Sequence, residues 1–413
     1  MKWVRNKVLL LLAVIGVAAA SGLAFLTHAP NRLMSGVGIS LADVAANLPV
    51  GNHPSLWLLS FAGPALLIVA GIFMPSWRST HGLVWVAATA LLTGLVYLAS
   101  SHAVFLASEA ADPASRLNAG TARTSFGGAF WVMAAIAWLA ASDAIGRLNL
   151  NPVLRLLASA LVIAPVVVCV ATGMLAPLSL FKEYASRRDV FNAALAQHVQ
   201  LVLASLLPSV LIGMPLGLAV ARPGRWMNAL RPLLFSTLNI IQTIPSIALF
   251  GLLMAPLALL AVQVPLLAQW GIKGVGMAPA VIALTLYSLL PVVRSTAAGL
   301  GQVPQPVIDA ARGVGLSSRQ IFWKVEMPLA LPVFISGLRV ATVQVIGLAA
   351  VAALIGAGGF GAIMFQGLLG GALDLVLLGT VPVVAMAVAA DALLKAATLL
   401  LVHEPSAMRR PEQ

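Results

Sequence analysis

Residues 309 to 328 read Asp-Ala-Ala-Arg-Gly-Val-Gly-Leu-Ser-Ser-Arg-Gln-Ile-Phe-Trp-Lys-Val-Glu-Met-Pro, a polar island between two long apolar stretches. These residue types build a surface and carry no reaction. Pro304 and Pro306 can open a helix, and Gly315 can end it in a left-handed turn. Ser317 or Ser318 can then cap a second short helix that stops before Pro328. Ala310 and Ala311 are small enough to let a partner backbone approach. Elsewhere the groups that do chemistry are sparse. No G-x-x-x-x-G-K-[ST] occurs, so the chain has no P-loop of its own. Cys169 is the single cysteine and excludes an intrachain disulfide, while the six histidines are too scattered for a metal-ligand cluster. No cofactor is called for. Gly356, Gly358 and Gly361 satisfy G-x-G-x-x-G, a dinucleotide fingerprint where it follows a strand and opens a helix. Neither condition is expected here, and a tightly packed loop between two spans fits the glycines better.

Ionisable groups near membrane depth are few: Asp143, Arg339, Asp374, Asp391 and Lys395. Such a group is a functional candidate by default. Asp391 and Lys395, four apart on one helix, are expected to pair with each other. Asn239, Gln242, Thr243 and Pro245 interrupt another apolar stretch, and Tyr287 and Arg294 the next. Proline removes a helical hydrogen bond and polar neighbours can satisfy the freed carbonyl. Asn239, Gln242, Thr243, Tyr287 and Arg294 must point either at a water-filled path or at a neighbouring helix, since facing lipid would cost several kcal/mol. They are the candidate translocation path, with the path favoured for Gln242 and Tyr287.

The elements that hold these residues are membrane helices. Of the 413 residues 61% are hydrophobic and 9% charged, with mean hydropathy +1.01. This excludes a soluble globule, and the lack of strict alternation argues against a β-barrel. At about 20 residues per crossing the chain offers about ten spans. They fall near 8–27, 55–74, 82–101, 127–145, 156–177, 195–221, 233–254, 277–293, 331–352 and 375–400. The fold class expected is an all-α integral membrane protein. Residues 28–54 and 102–126, too short for domains, read as loops with one short surface helix near 41–48. The formal charge of +12 comes from single basic residues in short loops. With both termini in the cytoplasm, 17 of the 24 Lys and Arg lie inside and 7 outside, which is the positive-inside sign. Lys2, Arg5 and Lys7 before an apolar run ending Ala18-Ala19-Ala20-Ser21-Gly22 also allow a cleavable leader, although the run continues through Leu26.

The island closely resembles the EAA loop of ABC import permeases, whose pattern is E-A-A, three residues, G, then nine residues leading to I-x-L-P. Asp309, Ala310, Ala311, Gly315, Val325, Met327 and Pro328 occupy its positions, with Asp for Glu bringing the carboxylate one methylene closer to the backbone. From about residue 190 to 400 the chain is similar to the permeases of glycine betaine, carnitine and choline uptake, a branch of the type I importers with the MetI-like fold. The similar stretches run in order: His198–Leu207, Ile212–Leu218 with Ala221-Arg222, Asn239–Ala248, Ala283–Gly299 and Leu354–Gly361. The first 180 residues exceed that core and resemble the subset of this branch with extra N-terminal spans.

The resemblance implies a membrane extension over 1–185 with about five spans. It further implies a five-helix permease core over 186–402 with its docking loop at 304–328, and a cytoplasmic tail over 403–413. It implies a non-enzymatic inner-membrane subunit that translocates a small osmoprotectant such as glycine betaine or choline. Its partners would be a cytoplasmic ATPase that docks on 304–328, a periplasmic binding protein, and a second permease copy or a paralogue. No aromatic cage is visible, as expected where the binding protein carries it. Nucleic acid is not an expected partner. The rivals are a permease for methionine or another small zwitterion, and a secondary transporter or channel, which the lack of an internal repeat weakens.

Overall fold

The computed structural model describes residues 4–31, 36–47, 58–109, 122–222, 224–269 and 271–401. The expected tail at 403–413 lies outside them. The chain divides into two compact units, Met1–Ser186 and Arg187–Gln413. Among the described residues eight helices are long and apolar enough to cross a membrane, and three apolar helices are shorter.

The first unit begins with α1 (Lys7–Gly22), started by Asn6, whose side-chain oxygen accepts from the amides of Val8 and Leu9. The expected span 8–27 is not all helix. The chain leaves α1 at Gly22 and enters β1 (Leu26–Ala29), which pairs antiparallel with β2 (Val37–Ile39) and with β3 (Arg123–Phe126). The stretches read as loops therefore meet in a three-stranded sheet of order β2-β1-β3. Long-range pairing made this sheet invisible to local pattern. Phe25 and Leu26 are fully buried beneath it, and Phe126 stacks on Phe130 at 4.0 Å between ring centroids.

Ser40 caps α2 (Leu41–Ala46) in a reciprocal box with Asp43, so the short surface helix expected near 41–48 is present. A π-helical turn (Leu58–Ala62) leads into α3 (Gly63–Ala70), and α4 runs from Arg78 to Glu109, past the expected end at 101. α5 (Gly128–Arg147), α6 (Pro152–Ala171) and α7 (Ser179–Ser186) complete the unit. Asp143 is held by Asn6 Nδ2 and by Arg147 Nε, each at 2.9 Å. A half-buried carboxylate at a helix end is thereby paired and bonded, which is a structural role.

The second unit opens on α8 (Arg188–Ala221), followed by α9 (Arg225–Thr243) and α10 (Ser246–Gln263). The single span expected over 233–254 is thus broken at Ile244–Pro245. A five-residue helix, α11 (Pro265–Gln269), precedes α12 (Met277–Gly301). α13 (Gln305–Gly313) and α14 (Ser318–Ile321) form a hairpin. A π-helical turn (Phe322–Glu326) then runs into α15 (Met327–Val351). The second hairpin helix therefore does not stop before Pro328. That proline is the second residue of α15, directly after the π-helical turn. After a 3₁₀ turn (Ala352–Ile355), α16 (Phe360–Leu369) and α17 (Leu373–Leu401) close the unit.

Small residues let these helices approach, as packing in lipid requires. A Cβ on Gly217 of α8 would lie 2.5 Å from the Cβ of Thr296 on α12, and one on Gly337 of α15 would lie 2.1 Å from Ser295. Buried hydroxyls stitch the same seam: Ser209 Oγ lies against Ser288 Oγ, and Thr285 Oγ1 donates to the Ser205 carbonyl at 3.1 Å. On α17 Asp391 accepts from Lys395 at 2.8 Å as the spacing predicts, and also from Arg339 of α15 at 3.1 Å.

Candidate functional site

Two places gather the residues singled out from sequence. In the hairpin, Pro304 precedes α13 and Pro306 sits in its first turn. The helix ends as a reversing turn. The Gly315 amide donates to Arg312 O at 2.9 Å, the Leu316 amide donates to Ala311 O at 3.1 Å, and Gly315 has φ +84°. Ser317 caps α14 in a reciprocal box with Gln320, whose side chain accepts from the Ser317 amide at 2.9 Å. Asp309 is exposed and lies 3.4 Å from Arg312 and 3.3 Å from Gln305, both on its own helix. Ala310 is exposed but Ala311 is buried, so only the former presents a bare face to a partner. Val307 and Val314, 41% and 78% exposed, extend that face as an apolar edge. Val325 and Met327 are half-buried and Pro328 is exposed.

Behind the hairpin a cleft of about 470 Å³ is lined by Arg222, Gln305, Ile308, Arg312, Ile321 and Glu326, among others. Arg222 Nη2 reaches Glu326 Oε2 at 2.7 Å, and its guanidinium lies 4.8 Å from the centroid of the Phe322 ring. Sequence reading placed Arg222 among the family-like stretches without giving it a role, and Glu326 falls at a variable position of the loop pattern.

The second place is the break between α9 and α10. Tyr287 of α12 is buried and its hydroxyl donates to the Ile244 carbonyl, at the break itself. Gln242 Nε2 donates to the Tyr287 carbonyl at 2.8 Å. Thr243 is exposed, its hydroxyl donating back to Ile240 O at 2.7 Å. Arg294 Nη2 donates to Asn239 Oδ1 at 2.7 Å beside a cleft of about 590 Å³ that Arg231, Phe235 and Gln302 also line. The five residues thus come together on two adjacent helices. Tyr287 and Gln242, the two favoured for the path, are instead engaged with backbone, while Thr243 and Arg294 are exposed and Asn239 is half-buried beneath its bond from Arg294.

The glycine segment departs from its expectation in one respect. Gly356, Gly358 and Gly359 take φ of +80°, +78° and +73°, and α16 begins at Phe360, so the segment does open a helix. It follows a helical turn, not a strand, which keeps it from being a dinucleotide fingerprint. Gln197 of α8 accepts the Gly359 amide at 3.0 Å.

A many-span helical protein with a capped hairpin between two spans has the layout of a membrane permease. Residues 213–399 match the family described as binding-protein-dependent transport system inner membrane component, and residues 4–181 match the N-terminal domain of ABC transporter permease YehY. The osmoprotectant import permease OsmW of Salmonella typhimurium is 38% identical over 213 residues, covering 52% of this chain and 91% of that protein. The choline transport permease OpuBB of Bacillus subtilis is 35% identical over 214 residues, covering 52% and 88%. The glycine betaine/carnitine/choline permease OpuCB of the same organism is 33% identical over 195 residues, covering 47% and 81%. This chain belongs to the family of binding-protein-dependent transport inner membrane components. It is a multi-pass inner-membrane permease subunit of an ABC transporter and not an enzyme. Membership implies an ATPase on a separate subunit and a substrate-binding partner.

Proposed function

We propose that this chain is the permease of an ATP-driven importer for a small osmoprotectant of the glycine betaine or choline kind. The observation that carries the cargo class is the identity of 38%, 35% and 33% to three permeases named for osmoprotectant, choline, and glycine betaine/carnitine/choline transport. The charge distribution supports an orientation with both termini in the cytoplasm, which puts the α13–α14 hairpin on the ATPase side. Asp309, Ala310, Ala311, Gly315, Val325, Met327 and Pro328 form the docking element. Ala310, Val307 and Val314 supply its contact face, and Ala311, buried, supplies its packing. Residues 1–185 are a membrane extension, 186–402 the core and 403–413 a cytoplasmic tail. A second permease copy or a paralogue completes the pore.

Asn239, Gln242, Thr243, Tyr287 and Arg294 mark the cargo path. Its water-facing groups are Asn239, Thr243 and Arg294. Tyr287 and Gln242 hold the helix break that brings those groups to the surface. ATP binding and hydrolysis in the partner move the hairpin, tilt the spans joined to it, and shift a two-state pore between its two openings. Reconstitution with the ATPase and binding protein tests the reading. Uptake of glycine betaine or choline driven by ATP is expected, with methionine excluded. Uptake of methionine alone would overturn the cargo, and transport by the chain without an ATPase would overturn the class.

A further inference from the structure

One helix of the second unit is fastened at two widely separated points, one near the hairpin and one at the glycine turn. α8 has 34 residues, and Gln197 and Arg222 lie about 38 Å apart along it at 1.5 Å per residue. At the hairpin end Arg222 holds the π-helical turn Phe322–Glu326 twice, by its ion pair with Glu326 at 2.7 Å and by stacking over Phe322. A π turn inside a helix is a place where hydrogen-bond register changes easily, and this one joins the hairpin to α15.

At the far end Gln197 accepts the amide of Gly359, and its oxygen lies where a Cβ on Gly358 would approach to 2.3 Å. The next residue, His198, is fully buried with its Nε2 3.1 Å from the Ile346 carbonyl and its ring 5.6 Å from that of Phe360. The same glycine turn is tied to the start of α12, because Gly276 donates to Ile355 O at 2.7 Å. Between the two ends, the hydroxyl seam and the close approach at Gly213 and Gly217 make α8 and α12 one body.

We propose that α8 is the transmission element of this permease, with Arg222 and Gln197 as its two positioning residues. Displacement of the hairpin is carried through Arg222 along α8 to the glycine turn 356–359, and back. Arg222 is 53% exposed, so its ion pair adds little to stability; its planar guanidinium instead fixes the angle between α8 and the π turn. This rests on the reading of the chain as an ABC permease.

Two measurements on the full-length chain test it. In proteoliposomes holding the complete transporter, the ratio of ATP hydrolysis with and without binding protein loaded with glycine betaine is read for wild type, Arg222→Gln, Gln197→Ala and the double variant. Each single substitution should lower the ratio about fivefold, the smallest coupling worth the name, and the double should be no worse than the worse single. Arg222→Glu combined with Glu326→Arg should recover most of the loss. In the purified chain alone, Arg222→Gln should raise hydrogen exchange at the 356–361 segment about fivefold while the thermal midpoint stays put. Unchanged exchange at that segment, or losses that follow a falling midpoint, would overturn the proposal. A wild-type complex that ignores every loaded binding protein would count against the transport reading alone, because the exchange measurement still decides for or against the link.

Discussion

At the scale of single residues, Gly315 and Asp309 show how differently two positions of one pattern work. Gly315 takes φ +84° with nothing within 4 Å of a built Cβ, so a side chain there is opposed by backbone conformation and not by space. A β-branched residue in the left-handed region costs roughly 1–2 kcal/mol, whereas asparagine visits it readily. Gly315→Val should therefore unwind the end of α13 and abolish the substrate-stimulated part of ATP hydrolysis in the reconstituted complex. Gly315→Asn should keep most of it, and equal losses in both variants would mean that the turn is not what matters. Asp309, by contrast, sits on the exposed flank with Arg312 and Gln305 in reach. The carboxylate is accommodated within its own helix, and the hairpin forms with Asp at the Glu position of the pattern.

Helices and strands obey a different arithmetic, in which the smallest side chains carry the largest constraints. Gly337 and Gly347 both lie in α15, yet only the first faces a neighbour. Its Cβ would meet Ser295 at 2.1 Å, while nothing stands within 4 Å of Gly347. Gly337→Ala should lower the thermal midpoint in detergent by an amount worth about 1–3 kcal/mol, the usual cost of overpacking. Gly347→Ala should be neutral or stabilising by about 0.5–1 kcal/mol, since alanine favours helix. The small sheet adds a pH dependence. His28 Nδ1 lies 2.9 Å from Thr124 Oγ1 across the β1–β3 pair, and burial, aided by Lys182, holds its pKa below the ordinary 6.5. The unfolded strand then takes up the proton first. The sheet keeps its full stability above about pH 6.5 and loses the part linked to neutral His28 as pH falls from there toward the depressed folded pKa. The protection factors of the β1 and β3 amides, corrected for the intrinsic pH dependence of exchange, should fall over that window in wild type and stay flat in His28→Gln.

For the molecule as a whole the decisive quantity is the side on which charge accumulates. Seventeen of the 24 basic residues fall on one side of the expected spans, and that bias should set orientation during insertion. A reporter active only in the periplasm, fused after Gln413, should be silent. Strong activity would reverse the orientation and take the hairpin away from any ATPase. The five polar residues near the α9–α10 break allow a second check on the assembled protein. In a Cys169→Ala background, Asn239→Cys and Thr243→Cys should react with a water-soluble thiol reagent, at rates that change when the ATPase is trapped with nucleotide. Tyr287→Cys should stay protected. Reaction at Tyr287→Cys with protection of the other two would move the path to the opposite face of α12.

Class, family and the hairpin of α13 and α14 were legible in the sequence because each rests on local physics. Twenty apolar residues mean a span wherever they occur, and Pro304, Gly315 and Ser317 shape their turns through bonds to residues three or four positions away. What the sequence could not supply were contacts between residues far apart in the chain. β3 pairs with β1 across about a hundred positions, and strands of three or four residues are too short to show an alternation, so nothing short of the fold announced the sheet. Continuity of α14 into α15 runs through a π-helical turn just before Pro328, which no local pattern announced, and the burial of Ala311 depends on what the hairpin folds against. Arg222 with Glu326, Gln197 with Gly359 and Tyr287 with Ile244 are likewise pairs that tertiary structure alone decided, because a hydrogen bond needs two partners in register and a single sequence shows only one at a time.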